Sequence, residues 1–262
     1  MTGFIGGGNM AEALIRGMTS QGMRDILVSE PRDDRRRFLE QSYGVKTTSS
    51  NRDLASESSI IILSVKPQNM EAVLDEIAHA ITEEKTVVSI AAGITLSYLQ
   101  AKLTTKKLIR VMPNTPAIVG KGMSVISLCE CFPDKDMATV REIFMSVGTV
   151  LTLPEKYMNA VTALSGSGPA FIAFFLEAMI VAGGTMGLGR EDASELAIQT
   201  LIGTAGLLET GMSPEKLREM VTSPGGTTAA GMKTFVDRGF VSMVVKALQA
   251  AQKRAEELGR RE

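Results

Sequence analysis

The glycine-rich turn near the start of the chain constrains the fold more than any other feature. Gly6, Gly8 and Ala11 fit the pattern GxGxxA, directly after the strand-like residues 3–5 and at the start of a helical pattern. A strand, this turn and a helix in succession are typical of a βαβ unit that binds a dinucleotide. We expect Gly6 to allow the tight turn, Gly8 to let the backbone approach a pyrophosphate, and Ala11 to keep the helix close to the sheet. The alternative is a βαβ turn without a ligand.

Glu30, at the end of the second predicted strand, bears on the choice of dinucleotide. It lies about 20 residues beyond Gly8, the usual spacing for the residue that contacts the adenosine ribose. A carboxylate there accepts hydrogen bonds from the 2′-hydroxyl and repels a 2′-phosphate, which favours NADH. Arginine is the usual partner of a phosphate, and four arginines follow: Arg32, Arg35, Arg36 and Arg37. We expect most of them on a solvated helix face, so the sequence favours NADH and leaves NADPH open.

Apolar runs alternate with helical patterns up to residue 153. The predicted strands are residues 3–7, 26–30, 59–65, 86–92, 108–112 and 123–127. The predicted helices between them are residues 10–22, 33–44, 67–81 and 97–103. Uninterrupted apolar runs such as 60–65 indicate strands buried on both faces, as in a parallel sheet covered by helices. We therefore predict an α/β domain over residues 1–153 with a Rossmann-type doubly wound sheet.

Beyond Pro154 the pattern changes to long helical segments. They are predicted near residues 157–187, interrupted by Ser-Gly-Ser-Gly-Pro, and over 190–209, 214–221, 226–237 and 240–258. The run 170–184 is apolar nearly all round, but it contains Glu177 and is shorter than the roughly 20 residues that cross a membrane. A helix that is apolar on every face is buried in a core or an interface. We therefore predict an all-α domain over residues 154–262 that forms a homodimer, with no membrane partner.

Composition excludes several classes of function. The 28 Lys and Arg residues nearly balance the 29 Asp and Glu residues, so nothing points to nucleic acid or to an anionic membrane. The single histidine, His79, lies in an amphipathic helical pattern and is expected at a surface or a helix end. Without clustered His, Cys and carboxylate residues, Ser-His-Asp hydrolysis and metal catalysis are disfavoured, and we expect no metal. A cofactor would then supply the chemistry of an enzyme.

The two cysteines indicate a reducing compartment. Cys129 and Cys131 are too close together for an ordinary disulfide and too few for a structural zinc site, so we expect small semi-buried side chains. The first residues carry no charged segment followed by a long apolar core, and no secretory signal is expected. These features predict a cytoplasmic protein.

Several segments together resemble the pyrroline-5-carboxylate reductase family. They are GFIGGGNMA (3–11), SVKPQ (64–68), SIAAGI (89–94), RVMPNTPA (110–117), ALSGSGPA (163–170) and TSPGGTT (222–228). They are spread along most of the chain in the family's order, and the last three are far more specific than the glycine turn.

The resemblance implies a set of site residues. For the cofactor these are Ile5, Gly6, Gly7, Gly8, Asn9, Met10, Glu30, Asn51, Ser64, Val65, Lys66, Pro67, Ile90, Ala91 and Ala92. For the substrate they are Asn114, Ser223, Gly225, Gly226, Thr227 and Thr228. The implied reaction is NAD(P)H-dependent reduction of Δ1-pyrroline-5-carboxylate to L-proline, the last step of proline biosynthesis. Members of the family form dimers and often rings of dimers, such as a decamer.

Thr228 is the expected catalytic residue. A protonated imine is already electrophilic, so the protein has to orient the substrate more than to supply a strong acid or base. Thr228 would bond the ring nitrogen or the carboxylate, and whether it relays a proton or only anchors the substrate stays open.

Two other functions are compatible with parts of this sequence pattern. A β-hydroxyacid dehydrogenase needs a base for the hydroxyl proton, and no lysine occurs between Lys156 and Lys216 to serve as one. A dinucleotide sensor without enzymatic activity would share the glycine turn, because fold does not fix function. Such a sensor would have no reason to keep the segment 222–228 together with the segment 163–170.

Overall fold

An eight-stranded sheet forms the centre of the first part of the chain. The computed structural model describes residues 1–129 and 134–259. The strands are β1 Thr2–Ile5, β2 Ile26–Ser29, β3 Lys46–Thr48, β4 Ile60–Leu63, β5 Thr86–Ser89, β6 Leu108–Met112, β7 Gly122–Leu128 and β8 Gly148–Thr152. Their order is β3-β2-β1-β4-β5-β6-β7-β8. The doubly wound sheet is confirmed, with one refinement: β6 and β7 run antiparallel, while every other neighbouring pair is parallel.

Helices cover both faces of this sheet. They are α1 Asn9–Ser20, α2 Asp33–Tyr43, α3 Asn51–Glu57, α4 Met70–Ile77, α5 Leu96–Lys102, α6 Asp134–Met145 and α7 Met158–Val161. On β1, Phe4 packs in the core with α1 and α6, whereas Ile5 packs in the core with α3, α4 and α5. Successive residues of a strand point to opposite faces, so an uninterrupted apolar strand serves two cores. This is why the apolar runs in the sequence predicted these strands.

The prediction missed four elements and extended several strands too far. The strands β3 and β8 lie at the two edges of the sheet, where the polar residues 46–48 and the partly exposed residues 148–152 give no buried run. The helix α3 is only seven residues long, whereas α6 carried a usable signal in the spacing of Val140, Ile143 and Phe144. The predicted strands ran past β2, β4 and β5 because the residues that follow them belong to the loops of the candidate site.

The second compact unit is helical. It comprises Gly168–Gln249, and the first unit comprises Met1–Ser167 with the chain from Ala250 onward. The remaining helices are α8 Gly168–Thr185, α9 Arg190–Glu209, α10 Pro214–Met220, α11 Thr227–Asp237 and α12 Phe240–Gly259. Within the first unit, Met158 and Val161 of α7 pack against Val125 of β7. The interruption predicted at SGSGP is a π-helical turn, Thr162–Gly166.

The helix α8 is apolar, yet the chain itself does not bury it. Gly183 is its one buried residue, and Phe174 and Val181 are 73% and 67% exposed. Among the described residues, the helical segment Glu155–Thr185 is long and apolar enough to cross a membrane by length and composition alone. Contiguous exposed apolar surface of this kind marks an interaction site. It is what the predicted dimer interface requires.

The remaining single-residue expectations concern His79 and the cysteines. His79 is exposed in a short 3₁₀ turn at the end of α4, as predicted for a helix-end histidine. Cys129 is buried, and Cys131 lies outside the described residues.

Gly17 of α1 gives a stability test of this packing. A Cβ on Gly17 would lie 2.7 Å from the backbone oxygen of Ser146 and 2.7 Å from Val147 Cγ1. Alanine favours a helix by about 1 kcal/mol over glycine, but overpacking costs about 1–3 kcal/mol. We therefore expect Gly17→Ala to lower the free energy of unfolding in urea. The exposed Ser20→Ala on the same helix should leave it nearly unchanged, and a Gly17→Ala variant as stable as the wild type would contradict this account of the packing.

Candidate active site

The turn between β1 and α1 leaves the start of the helix open. Gly6 has a φ of +97°, and a Cβ there would lie 2.9 Å from the carbonyl oxygen of Ser64. Gly8 precedes α1 with no side-chain cap, and a Cβ built on Gly8 would meet no atom within 4 Å. The first N–H groups of α1 are therefore accessible, at the positive end of the helix dipole. An anion such as a pyrophosphate fits this position without displacing a side chain.

The carboxyl ends of β4 and β5 lie beside this turn. Ser64, the residue after β4, donates from its hydroxyl to the carbonyl oxygens of Ile5 and Gly6 at 3.0 and 2.5 Å. Val65 is half-buried and Lys66 is exposed. Three predicted residues, Ile90, Ala91 and Ala92, directly follow β5. Because β1, β4 and β5 are parallel neighbours, all these segments share the edge where an open α/β sheet binds its ligand.

Glu30 is a buried carboxylate at the same edge. Its Oε2 accepts the Gly7 N–H at 3.0 Å, and its Oε1 accepts the backbone N–H and the Nε of Arg32 at 3.2 and 2.9 Å. Burial raises the pKa of Glu30, but the hydrogen bonds from Arg32 and from Gly7 outweigh it and hold the pKa below its ordinary value of 4.5. The carboxylate is therefore ionised at neutral pH. One accepted bond leaves Oε2 with capacity for another donor.

The arginines after Glu30 are already engaged. Arg35 donates from Nε to the carbonyl oxygen of Gly7 at 2.6 Å and pairs with Glu12, which also accepts from the Tyr43 hydroxyl at 2.8 Å. Arg36 donates to the carbonyl oxygen of Glu30 at 2.8 Å. Thus Arg35 holds the backbone of the glycine turn and Arg36 holds the backbone at Glu30, while the side chains of Arg32 and Arg37 are 60% and 71% exposed. Sequence reasoning missed Glu12 and Tyr43, whose roles depend on contacts between α1 and α2.

The two candidate asparagines hold loops together. Asn51 accepts from the Ser29 hydroxyl and donates to Glu76, both at 2.7 Å, so it lies beside the end of β2. Asn114, after β6, accepts the Met123 N–H at 2.8 Å. Its amide nitrogen donates to the carbonyl oxygen and the hydroxyl of Ser165 at 3.2 Å. The segment after β6 is therefore tied to the π-helical turn, a type of distortion that is frequent at functional sites.

Glu155 and Arg110 are further residues that sequence reasoning did not select. Arg110 on β6 is 5% exposed and donates from a terminal guanidinium nitrogen to Glu155 Oε1 at 3.1 Å. The same oxygen accepts the N–H of Leu96, the first residue of α5, at 2.8 Å. Arg110 lies within the segment RVMPNTPA, but nothing in the sequence indicated its partner.

The segment 222–228 forms a second open helix start, in the helical unit. The Gly226 N–H donates to the Ser223 carbonyl oxygen at 3.0 Å and closes a turn with Pro224 at its second position and Gly225, at a φ of +71°, at its third. These are the residues that a type II turn prefers. A Cβ on Gly226 would displace the Ser223 hydroxyl and lie 3.2 Å from the Ser223 carbonyl oxygen, so there is little room for a side chain at this position.

The helix α11, which begins after this turn, has no side-chain cap. Within the described part of the chain, no residue bonds the hydroxyls of Ser223, Thr227 and Thr228. An uncapped helix start with nearby hydroxyls can bind a small carboxylate.

Comparisons with known proteins agree with these features. Residues 155–258 match the model for pyrroline-5-carboxylate reductase dimerisation, and residues 1–93 match the model for NADP oxidoreductase, coenzyme F420-dependent. The chain is 40% identical to the pyrroline-5-carboxylate reductase of Synechocystis sp. over 99% of this chain and 98% of that protein. It is 42% identical to the Arabidopsis thaliana enzyme of the same name over 98% and 94%.

Solved structures give the same result. A pyrroline-5-carboxylate reductase from Coxiella burnetii has a TM-score of 0.93 at 35% identity, covering 98% of this chain and 97% of that chain. Plasmodium falciparum pyrroline carboxylate reductase with NADP bound has a TM-score of 0.87 at 30% identity, with the same coverage. These similarities extend over both units and confirm the resemblance that the six sequence segments carry. The chain belongs to the pyrroline-5-carboxylate reductase family.

Proposed function

We propose that the chain reduces Δ1-pyrroline-5-carboxylate to L-proline with a reduced nicotinamide dinucleotide. The observation that carries the proposal is the uncapped start of α1 at Gly8, with an ionised Glu30 beside it. When bound, the cofactor supplies a hydride from C4 of its nicotinamide. The imine carbon accepts the hydride, and the protonated imine nitrogen becomes the amine of proline. The chain's own residues bind and orient both molecules.

The residues at the carboxyl edge of the sheet fit a dinucleotide. The N–H groups after Gly8 would bind the pyrophosphate, and Glu30 would accept from the adenosine ribose. Asn51 would lie near the adenosine half. The small residues Ala91 and Ala92 leave room for a flat nicotinamide ring. Ser64 maintains the glycine turn through its bonds to the carbonyl oxygens of residues 5 and 6.

The preferred cofactor is NADH. The ionised Glu30 would repel a 2′-phosphate, and Arg35 and Arg36 are occupied by backbone and carboxylate oxygens. NADPH remains usable, because the guanidinium of Arg32 is 60% exposed and can contact a 2′-phosphate. The relative from Plasmodium falciparum, which has NADP bound, supports NADPH as a usable cofactor.

Removing the Glu30 carboxylate should reverse this preference. In Glu30→Ser we expect the ratio of kcat/KM for NADPH to that for NADH to rise at least about tenfold, equivalent to 1.4 kcal/mol. The measurement is steady-state kinetics with each dinucleotide at a fixed substrate concentration. Asp34→Asn removes one exposed negative charge from α2, the helix that follows Glu30, and should leave the ratio within about twofold. An unchanged ratio in Glu30→Ser would rule out Glu30 as the selecting residue.

The segment 222–228 would bind the substrate carboxylate. Backbone N–H groups at the start of α11 offer donors without a side chain in the way, and Ser223 and Thr227 add hydroxyls. Thr228 would bond the ring nitrogen or the carboxylate of the substrate. Both a proton relay and simple anchoring are compatible with a half-buried hydroxyl that has no cap function.

Truncating Thr228 tests its part in the reaction. We expect Thr228→Ala to lower kcat/KM for pyrroline-5-carboxylate about tenfold or more, and Thr228→Ser to restore most of the loss. Thr234→Ala, on the exposed surface of the same helix, is the matched control. A loss below about threefold in Thr228→Ala would argue against any role in the transition state.

The direct test of the proposed function is oxidation of the reduced dinucleotide, measured by absorbance with added pyrroline-5-carboxylate. Turnover with proline as the product supports the enzyme. Binding of NADH without turnover at saturating cofactor would favour a dinucleotide sensor instead.

The assembly follows from the apolar face of the helical unit. We propose a homodimer that buries α8, in which the region matched to the family's dimerisation model supplies the interface. A ring of dimers, such as a decamer, would be compatible with this unit. A cytoplasmic location, with no membrane and no nucleic acid as partner, completes the proposal.

A further inference from the structure

We propose that Glu155 is a positioning residue for the nicotinamide wall, by which we mean residues 90–92 after β5. It acts through the hydrogen bond that it accepts from the Leu96 N–H. This inference rests on the proposed function, because it assumes that a dinucleotide lies against residues 90–92. Glu155 begins the short 3₁₀ turn Glu155–Tyr157 that follows β8, far along the chain from the wall itself. Its carboxylate accepts the N–H of Leu96, where the loop between β5 and α5 ends, and so connects this later segment to the loop.

The loop between β5 and α5 has few hydrogen bonds of its own. At its first end, Ile90 donates to Leu63 at 3.2 Å, and the Ala91 N–H reaches the Ser89 hydroxyl only at 3.4 Å. In its middle, Gly93 has a φ of +85°. A Cβ on Gly93 would lie 3.4 Å from the carbonyl carbon of Leu258, at the end of α12. The backbone is thus confined by packing in the middle and needs a polar partner at its far end.

Glu155 supplies that partner at the first residue of α5. Its Oε1 accepts the Leu96 N–H at 2.8 Å, shorter than the bond from Tyr98 N–H to the Thr95 hydroxyl at 3.1 Å. The start of a helix favours a negative charge, which strengthens this contact. Because Leu96 directly follows the loop, holding its N–H in place also holds the end of the loop. The positions of Ala91 and Ala92 along the edge of the sheet then depend on this hydrogen bond.

Arg110 in turn fixes Glu155. Its guanidinium is nearly fully buried on β6 and donates to the same Oε1 at 3.1 Å, so the carboxylate lies between a buried positive charge and the helix start. A buried arginine without its partner destabilises a protein strongly. Glu155→Ala alone would therefore both destabilise the fold and release the Leu96 N–H, and the two effects could not be separated. The variants compared must all lack the Arg110–Glu155 ion pair.

Two double variants separate position from charge. Arg110→Met/Glu155→Gln and Arg110→Met/Glu155→Met both lack the ion pair, but only the first keeps an acceptor for the Leu96 N–H. We expect the Gln form to bind NADH within about threefold of the wild type and the Met form at least about tenfold more weakly, by nicotinamide fluorescence titration. Hydrogen exchange at the Leu96 amide should be faster in the Met form than in the Gln form. Urea unfolding shows whether both fold equally well.

A control on the same helix distinguishes general loosening from positioning. Lys102, at the other end of α5, bonds Glu71 and Asp75 of α4 at 3.1 Å. Lys102→Met should change NADH affinity by less than about twofold. Equal NADH affinity in the two double variants would overturn the proposal while leaving the proposed function intact. A wild-type chain that binds neither NADH nor NADPH would overturn both.

Discussion

The close contact between the glycine turn and its two neighbours is the constraint on which the site depends. Gly6 leaves no room for a side chain against Ser64, and the Gly7 N–H is bound by Glu30. These contacts hold β1, β2 and β4 together at their carboxyl ends. They also leave the first N–H groups of α1 without a side-chain cap and open to a ligand. The same contacts that complete the fold therefore create an anion site, and a buried carboxylate beside it sets which dinucleotide suits that site.

The helical unit is governed by a different constraint. Its helices have few partners within the chain, since α8 buries one residue. In the aromatic cluster of Phe175, Phe235 and Phe240, the first two side chains are still 43% and 41% exposed. Burying apolar surface is the main favourable term in folding. In the homodimer proposed above, a second copy would bury this exposed apolar surface, in line with the unit's match to a dimerisation region. The histidine-poor composition fits a reaction in which an imine substrate needs orientation more than acid–base catalysis.

Much of this architecture could be predicted from the sequence because its signals are local. Apolar runs identified six strands, and the Gly6 turn, the Pro224–Gly225 turn and the long helices follow from single segments. The edge strands lacked a buried face and gave no such signal. The residues that were missed, Glu12, Tyr43, Arg110 and Glu155, act on partners distant in sequence, as in the contact between Glu155 and Leu96. A single sequence does not show which of its charged residues will meet.

Gly8 provides the most direct test of the central claim that a dinucleotide binds at the open start of α1. Its φ of −70° suits alanine, and a Cβ there would meet open space, so Gly8→Ala should lower the free energy of unfolding in urea by no more than about 1 kcal/mol, the usual cost of alanine at a helix N-cap. The same methyl group would occupy the place of the pyrophosphate. We predict that NADH affinity, measured by nicotinamide fluorescence titration, falls at least about tenfold. A stable Gly8→Ala protein that binds NADH as tightly as the wild type would contradict the account.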